Sequence, residues 1–372
     1  MTRFLTILIL LSWSMFGWAQ EDSIPQKKGF GRKIVNGVVG IIKEFNNVDT
    51  NYIEPQKYLF TTTLMGTYSY ENYLIRSKSG QEVTFSPEAR IKVGPYIGWS
   101  LLFLGYTVDF AYISANKKKE LDLSVYTSMF GLDFFRRESG EDYRIRTWDL
   151  GETANNTEEG SSQKDFAGGL PYDGLKVTIT GLNGYYVKNH HQFSYPAAFS
   201  QSTCQRRSAG SLLIGGGYTR HTLQLDYNKL KNTLKTALPD IEERIDSGLM
   251  FNKIKYTDVN LSAGYAYNWV FAKNWLFSLA LSGTLAYKRS YGDRMGYLTI
   301  LRDFSFSNFN FDGVYRAGVI WNDSKWYVGG YGVVHSYNYR KPQFQTNNNF
   351  GYVNVYLGFN FGKKKKFRKQ HD

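Results

Sequence analysis

The chain has one cysteine, Cys204, in 372 residues. No intrachain disulfide can form, and a cysteine metal cluster is excluded. Beyond residue 19 no run of about eighteen apolar residues occurs, so a membrane-crossing helix is excluded from the rest of the chain. Acidic residues are also in short supply, 32 against 45 Lys and Arg, for a formal charge of +13. That excess has the sign of a nucleic-acid binder but not its distribution. Lys363 to Lys366, Arg368 and Lys369 stand against Asp372 in a basic tail, read as a solvated end or as a segment touching anionic phosphate groups nearby, and Arg3 belongs to the leader, so no nucleic-acid partner is expected. What the chain has in plenty is aromatic residues, 17% of the total, with 29 Tyr and 26 Phe. A mean hydropathy of -0.40 suits a water-soluble protein. It equally suits a closed membrane barrel, whose strands alternate lipid-facing apolar residues with polar lumenal ones.

The first nineteen residues read as a signal peptide: Arg3, an apolar stretch from Phe4 to Leu11, then Gly17-Trp18-Ala19 with small residues where a signal peptidase reads. Cleavage before Gln20 is expected, and no cysteine follows it to carry a lipid anchor. Residues 20–57 form a periplasmic segment in which Ile34, Val38, Val39, Ile41 and Ile42 share one helical face. A short helix there closes the barrel mouth, lies on the membrane surface, or simply packs locally. Pro55 ends the pattern.

The clearest strand is 275–287, where Trp275, Phe277, Leu279, Leu281, Leu285 and Tyr287 alternate with small or polar residues. Twelve steps of roughly 3.3 Å tilted by about 40° cover about 31 Å, enough for an apolar band of about 25 Å and an aromatic girdle at each edge. The strand before it matches, with Val259, Leu261, Tyr265, Tyr267, Trp269 and Phe271 outward and Asp258, Asn260 and Asn268 inward. The same test places strands near 58–76, 81–97, 101–114, 119–136, 141–150, 173–188, 210–227, 255–271, 274–290, 308–322, 325–340 and 350–362. The expected fold is therefore an all-β, transmembrane, antiparallel up-and-down β-barrel of about 12 strands spanning 58–362, with a short N-terminal helical segment and a basic periplasmic tail at 363–372. Ten and fourteen strands are the neighbouring counts. An even count puts both ends in the periplasm, with short turns at 138–140, 272–274 and 322–325. The long segments 151–172, 228–254 and 290–307 then face outside. A soluble β-sandwich is the alternative, but its strands average about five or six residues, against twelve or more here. The last strand, with Val353, Val355, Leu357, Phe359 and Phe361 on one face, has the form of the signal read by barrel-assembly machinery, although a tail follows the final aromatic.

Three segments carry a resemblance: Asp49-Thr50-Asn51-Tyr52-Ile53-Glu54-Pro55, Tyr195-Pro196-Ala197-Ala198-Phe199-Ser200-Gln201, and Gln205-Arg206-Arg207-Ser208-Ala209-Gly210-Ser211. The chain resembles, over about residues 49–361, an uncharacterised barrel family of Bacteroidetes known only as a domain of unknown function. The resemblance implies a barrel in the outer membrane of a Gram-negative cell, with membrane lipids as neighbours. It supplies no catalytic residue, substrate or cofactor.

Strand phase turns Arg90, Lys92, Arg144, Arg146 and Arg316 toward the lumen, with Asp109, Asp122 and Asp258, since such charges cost roughly 2–4 kcal/mol facing lipid. Two readings stand: a basic constriction selecting anions, or a ladder of paired charges filling a narrow barrel. In the Tyr195–Ser211 segment Pro196 and the small residues are poor strand material. It is read as an inward plug, or as a mouth whose Gln201, Gln205, Arg206 and Arg207 meet an anion, with Arg206 and Arg207 the leading ligand candidates. A serine hydrolase would need a Ser–His pair. His190, His191 and Ser194 lack diagnostic spacing, and His335 and Ser336 point to opposite faces. No metal or cofactor is expected. Which way Tyr327, Tyr331, Tyr337 and Tyr339 face is open. Three function classes follow: a channel for small anionic solutes, a barrel without an open pore acting through its outer loops, and a lipid-modifying enzyme.

Overall fold

A computed structural model describes residues 47–88, 90–99, 102–105, 119–139, 142–151, 163–238, 245–246, 249, 252–290, 305–340 and 344–368. The expected leader at 1–19, the expected amphipathic stretch at Ile34 to Ile42, Asp109, and the side chains of Arg90 and Asp122 lie outside the described residues. In chain order the elements are β1 (Ile53–Glu54), β2 (Tyr58–Ser77), β3 (Glu82–Pro87), β4 (Arg90–Trp99), β5 (Leu102–Gly105), β6 (Lys119–Tyr126), β7 (Phe130–Glu138), β8 (Tyr143–Asp149), β9 (Gln163–Pro171) and β10 (Leu175–Val187). Then come helix α1 (Tyr195–Phe199), β11 (Cys204–Gln205), β12 (Ala209–Leu225), helix α2 (Tyr227–Ala237), β13 (Lys253–Ala272), β14 (Trp275–Ser290), β15 (Phe309–Asn322), β16 (Trp326–Arg340) and β17 (Phe344–Lys363).

Period-2 alternation dictates the wall. Outward positions are exposed and apolar, among them Leu261 at 74%, Val355 at 63% and Leu64 at 58% exposure, while their neighbours Asn260, Asn354 and Thr63 are buried. All pairings are antiparallel, and the ladder path runs β5-β4-β2-β17-β16-β15-β14-β13-β12-β10-β7-β6, twelve strands. Its ends, β5 and β6, are consecutive in the chain, and among the described residues no ladder joins them. The sheet curls on itself: Phe135 on β7 and Phe350 on β17, seven places apart along that path, bring their rings to 6.3 Å. The architecture is an antiparallel β-barrel with an apolar outer belt of membrane type.

The belt covers only part of the wall. β2, β13 and β17 each have 20 residues, roughly 50 Å along the axis at a tilt of about 40°. Their exposed apolar residues stop near Tyr68, Val259 and Val353. The remainder projects beyond the belt at the end that carries the long loops, and a second sheet, β3-β8-β9, branches there from the upper half of β2.

The strand count agrees with expectation but the membership differs. Segment 119–136 is two strands, because Thr127 makes a tight turn in which its hydroxyl accepts from the Phe130 amide at 2.8 Å and its own amide donates to the Phe130 carbonyl at 2.8 Å. Without Gly or Pro, the alternation runs through that turn unmarked. Segment 141–150 leaves the ring: β8 pairs with β3, and β9 lies within the expected loop 151–172. In consequence residues 138–139 sit at the long-loop end, not with the turns at 272–274 and 322–325. Expected loop 228–254 contains most of α2, capped by Asp226. The tyrosines of β16 face inward: Tyr327, Tyr337 and Tyr339 are all buried. Tyr327 lies over its cross-strand partner Gly358, the small residue leaving room for the ring.

Candidate functional site

At the short-turn end the chain leaves β10 and folds into the bore. The Asn189 amide donates to the Ser211 hydroxyl (2.9 Å) and its side chain to the Gly210 carbonyl (2.9 Å), which fixes the departure angle. Ser194 then caps α1, accepting from the Ala197 amide, and Pro196 occupies the first turn, where its missing N–H costs nothing. All five residues of α1 are buried. The Tyr195 hydroxyl accepts from the Arg316 guanidinium at 2.8 Å, and its ring meets Tyr185 (5.2 Å) and Tyr126 (6.0 Å). Phe199 sets its ring edge-on to Tyr331 at 5.8 Å, and Gln201 donates to the Tyr356 hydroxyl at 2.8 Å. The helix thus touches β6, β10, β15 and β16, and Gln201 just after it reaches β17. It crosses the bore as a plug.

The two motif segments far apart in sequence meet beneath this plug, where β1 pairs with β11, Ile53 opposite Gln205 and Glu54 opposite Cys204. Gln205 is the hub: its carbonyl oxygen accepts from the Ser194 amide (2.8 Å) and the Asn268 side chain (3.1 Å), and its amide group donates to the Gln192 (2.6 Å) and Arg207 (2.9 Å) carbonyls. Arg206 donates to Glu54, to Asn274 in the β13–β14 turn and to Ser324 in the β15–β16 turn. Arg207 lies over the Tyr52 ring at 5.8 Å. Cys204 is buried beside Ser324, and burial pushes its thiol up to about 11, so it stays an inert thiol at neutral pH.

Burial alone raises the Glu54 carboxyl, but Lys57, Ser324 and Arg206 together hold it below the ordinary carboxylate range. A carboxyl depressed in the folded state adds stability that is complete above its unfolded value and is lost as pH falls through the folded one. The clamp is therefore expected to be intact at neutral pH and to loosen only as the pH falls below the ordinary carboxylate range. Hydrogen exchange at the Ile53 and Arg206 amides should then accelerate beyond its intrinsic pH dependence, and Glu54→Gln should abolish that extra acceleration. Identical profiles for both proteins would dismiss the carboxylate as the clamp's anchor.

Above the plug the lumen is polar and its charges are paired. Arg316 bridges to Asp133 at 2.9 Å across the bore. Lys288, fully buried, reaches both oxygens of Asp312 at 2.7 and 2.9 Å and the Asn338 carbonyl. Asp258 accepts from Thr219 and from Asn260 (2.9 Å), and the His221 ring nitrogen stands 3.0 Å from the Thr219 hydroxyl. A cavity of about 60 Å³ lies among Asp133, Tyr195, Asn260, Asp312, Arg316 and His335, room for on the order of four waters. Pockets that hold a drug-sized ligand are several times larger, about 300 Å³ upward. Beyond it, among the described residues, an apolar core fills the bore. This core joins Tyr73 and Ile75 of β2, Phe85 of β3, Trp148 of β8, Val177 of β10 and Leu223 of β12 with Leu230 and Leu234 of α2.

The six basic candidates with described side chains do not form one constellation. Arg316 is lumenal and paired; Lys92 has the inward phase, its neighbours Ile91 and Ile97 being exposed. Arg144 and Arg146 are not lumenal. They lie on β8, on the face opposite the buried Tyr143 and Ile145, where Arg144 donates to Glu88 (2.8 Å) and the Gly169 carbonyl (3.1 Å). Arg206 and Arg207 hold the floor. The Ser194 hydroxyl is engaged by the Ala197 amide and by Thr203 at 2.6 Å, not by histidine, and the His335 ring stacks on Phe350 at 5.0 Å. Sequence reasoning passed over Lys288, Asp312 and Asp133. Lys288 stands in phase with Ser278, Ala280, Ser282, Thr284 and Ala286, a regularity that marks it as lumenal.

A family model described as domain of unknown function (DUF4421) matches residues 47–361. No curated protein matches the chain. Among solved structures, the outer membrane protease OmpT of Escherichia coli is similar at 9% sequence identity, over 82% of this chain and 97% of that one, with a TM-score of 0.33. The translocator domain of the autotransporter NalP from Neisseria meningitidis is similar at 9% identity, over 89% and 96%, with a TM-score of 0.30. The outer membrane protein OprG from Pseudomonas aeruginosa is similar at 9% identity, over 83% and 98%, with a TM-score of 0.24.

Proposed function

The chain belongs to the DUF4421 family, and from that premise we propose that it is an outer-membrane β-barrel with a closed lumen, acting through its long-loop end and not as a passage for solutes. The observation that carries this reading is the double closure of the bore, by α1 at one level and by the apolar core around Trp148 at another. The lumenal charges fit it: Arg316 is spent on Asp133 and on the plug, and Lys288 on Asp312, leaving no ring of unpaired cations among the described residues to attract an anion. The short turns and both described ends of the chain are assigned to the periplasm, where bacterial barrels keep their short connections. The projecting sheet β3-β8-β9 and α2 then stand outside the cell, with charges in balanced pairs such as Lys229–Asp173 and Arg144–Glu88.

The test is conductance. The refolded mature protein in a planar bilayer is expected to leave the membrane at its leak level. Discrete current steps with anion preference, abolished by Arg316→Ala, would return the protein to the channel class.

A further inference from the structure

At the long-loop end basic side chains have carboxylate partners: Arg76 with Glu82, Arg144 with Glu88, Lys229 with Asp173. The short-turn rim of β16, β17 and β2 is different. Lys325 in the turn before β16, and Lys363, Lys365 and Arg368 at and after the end of β17, have no carboxylate partner among the described residues, and all are exposed. The nearby acids are otherwise engaged. Asp323 accepts from the Lys325 (2.9 Å) and Trp326 (2.7 Å) amides, and Glu54 is held by Arg206 and Lys57. Arg368 is folded back onto the rim, its Nε donating to the Lys363 carbonyl at 2.8 Å, and the Lys364 amide donates to the Lys57 carbonyl at 2.9 Å.

This basic group borders the edge of the apolar belt. On the outward face Phe60 stacks on Phe361 (5.5 Å), Phe361 on Phe359 (6.2 Å), and Phe359 meets Trp326 (4.5 Å). The Lys325 ammonium lies over the Phe359 ring at 5.5 Å, and Lys363, opposite Tyr58, shares the outward phase of Phe361. Aromatic rings mark the depth of the hydrocarbon–headgroup boundary, so cations one or two residues beyond them stand at the level of the lipid phosphates. We propose that this rim, formed by Lys325, Lys363, Lys365 and Arg368, binds the phosphate group of anionic phospholipids in the adjoining leaflet. The proposal rests on the belt being in a bilayer.

The measurement is lipid selectivity by electron spin resonance in phosphatidylcholine vesicles carrying spin-labelled phosphatidylglycerol or phosphatidylcholine. The wild-type barrel is expected to favour phosphatidylglycerol at its surface by about threefold or more, as several basic groups near an anionic headgroup should produce. The K325Q/K363Q/K365Q variant should fall to near parity while keeping the heat-modifiable gel mobility of a folded barrel. A matched K229Q/K231Q/K235Q variant at the other end should keep the preference. Equal affinity for both lipids in the wild type, or a preference surviving in K325Q/K363Q/K365Q, overturns the site. So does abolition of the preference by a few millimolar inorganic phosphate at constant ionic strength, which would make free phosphate the ligand. An absence of motionally restricted lipid of either kind would instead overturn the belt itself.

Discussion

Replacing Lys288 by Met is expected to lower the unfolding free energy by about 3–5 kcal/mol, because it strands the Asp312 carboxylate in a buried site. Lys288 and Asp312 have side-chain exposures of 0% and 2%, and the ammonium also satisfies the Asn338 carbonyl. Asp312 would keep only the Asn338 amide, which donates at 2.8 Å, and would face Asp258 with no cation between them. Removing both charges in K288M/D312L should recover most of the loss, since the pair contributes little beyond cancelling its own desolvation. Urea unfolding in phospholipid vesicles, followed by tryptophan fluorescence, measures both. The result also bears on the closed lumen. A K288M barrel within about 1 kcal/mol of the wild type would mean that water reaches Asp312 freely, and a wet bore at that level is incompatible with a sealed one.

The second large effect is expected at Trp148. Its side chain is fully buried in the core shared by β8, the upper wall and α2. Truncation to Ala should cost about 3–5 kcal/mol at that place. The loss should be local. Among the described residues the β3-β8-β9 sheet is laddered to the ring only through β2, and units with few connections open below the global stability. In W148A, limited proteolysis should cut between residues 142 and 171 while the remaining barrel keeps its folded gel mobility. Unchanged protease resistance with a lowered global midpoint would show that cap and wall unfold as one.

The wall was legible because alternation is a direct imprint of two media. Val259 to Phe271, Trp275 to Tyr287 and Val353 to Phe361 all have the phase that the sequence implies. Alternation shows that one face is apolar, not what that face meets. β8 alternates as a ring strand does, yet Tyr143 and Ile145 face a protein core and Arg144 and Arg146 face away from it. A sheet with one wet face writes the same pattern as a barrel wall. The tyrosines of β16 were undecided for a related reason, since an aromatic ring suits both the lipid boundary and a lumen. Their cue is the partner. Tyr327 stands opposite Gly358, as Tyr185 stands opposite Gly131 and Phe135 opposite Gly181, and such pairs emerge only once register is known. The floor was half legible: Pro196 and the small residues marked a departure from strand, but the meeting of β1 with β11 is set by the whole wall between them.

Arg206 is separated along the chain from Glu54 by 152 positions, from Asn274 by 68 and from Ser324 by 118. Contacts of such span form only after the intervening loops have been drawn together, whose entropic cost precedes any reward. The guanidinium therefore finds its acceptors last, when the first hairpin, the middle of the chain and the final strands have all reached one rim. A barrel halted midway through insertion is expected to carry the 189–208 segment undocked, its backbone open to proteases until Arg206 reaches its acceptors.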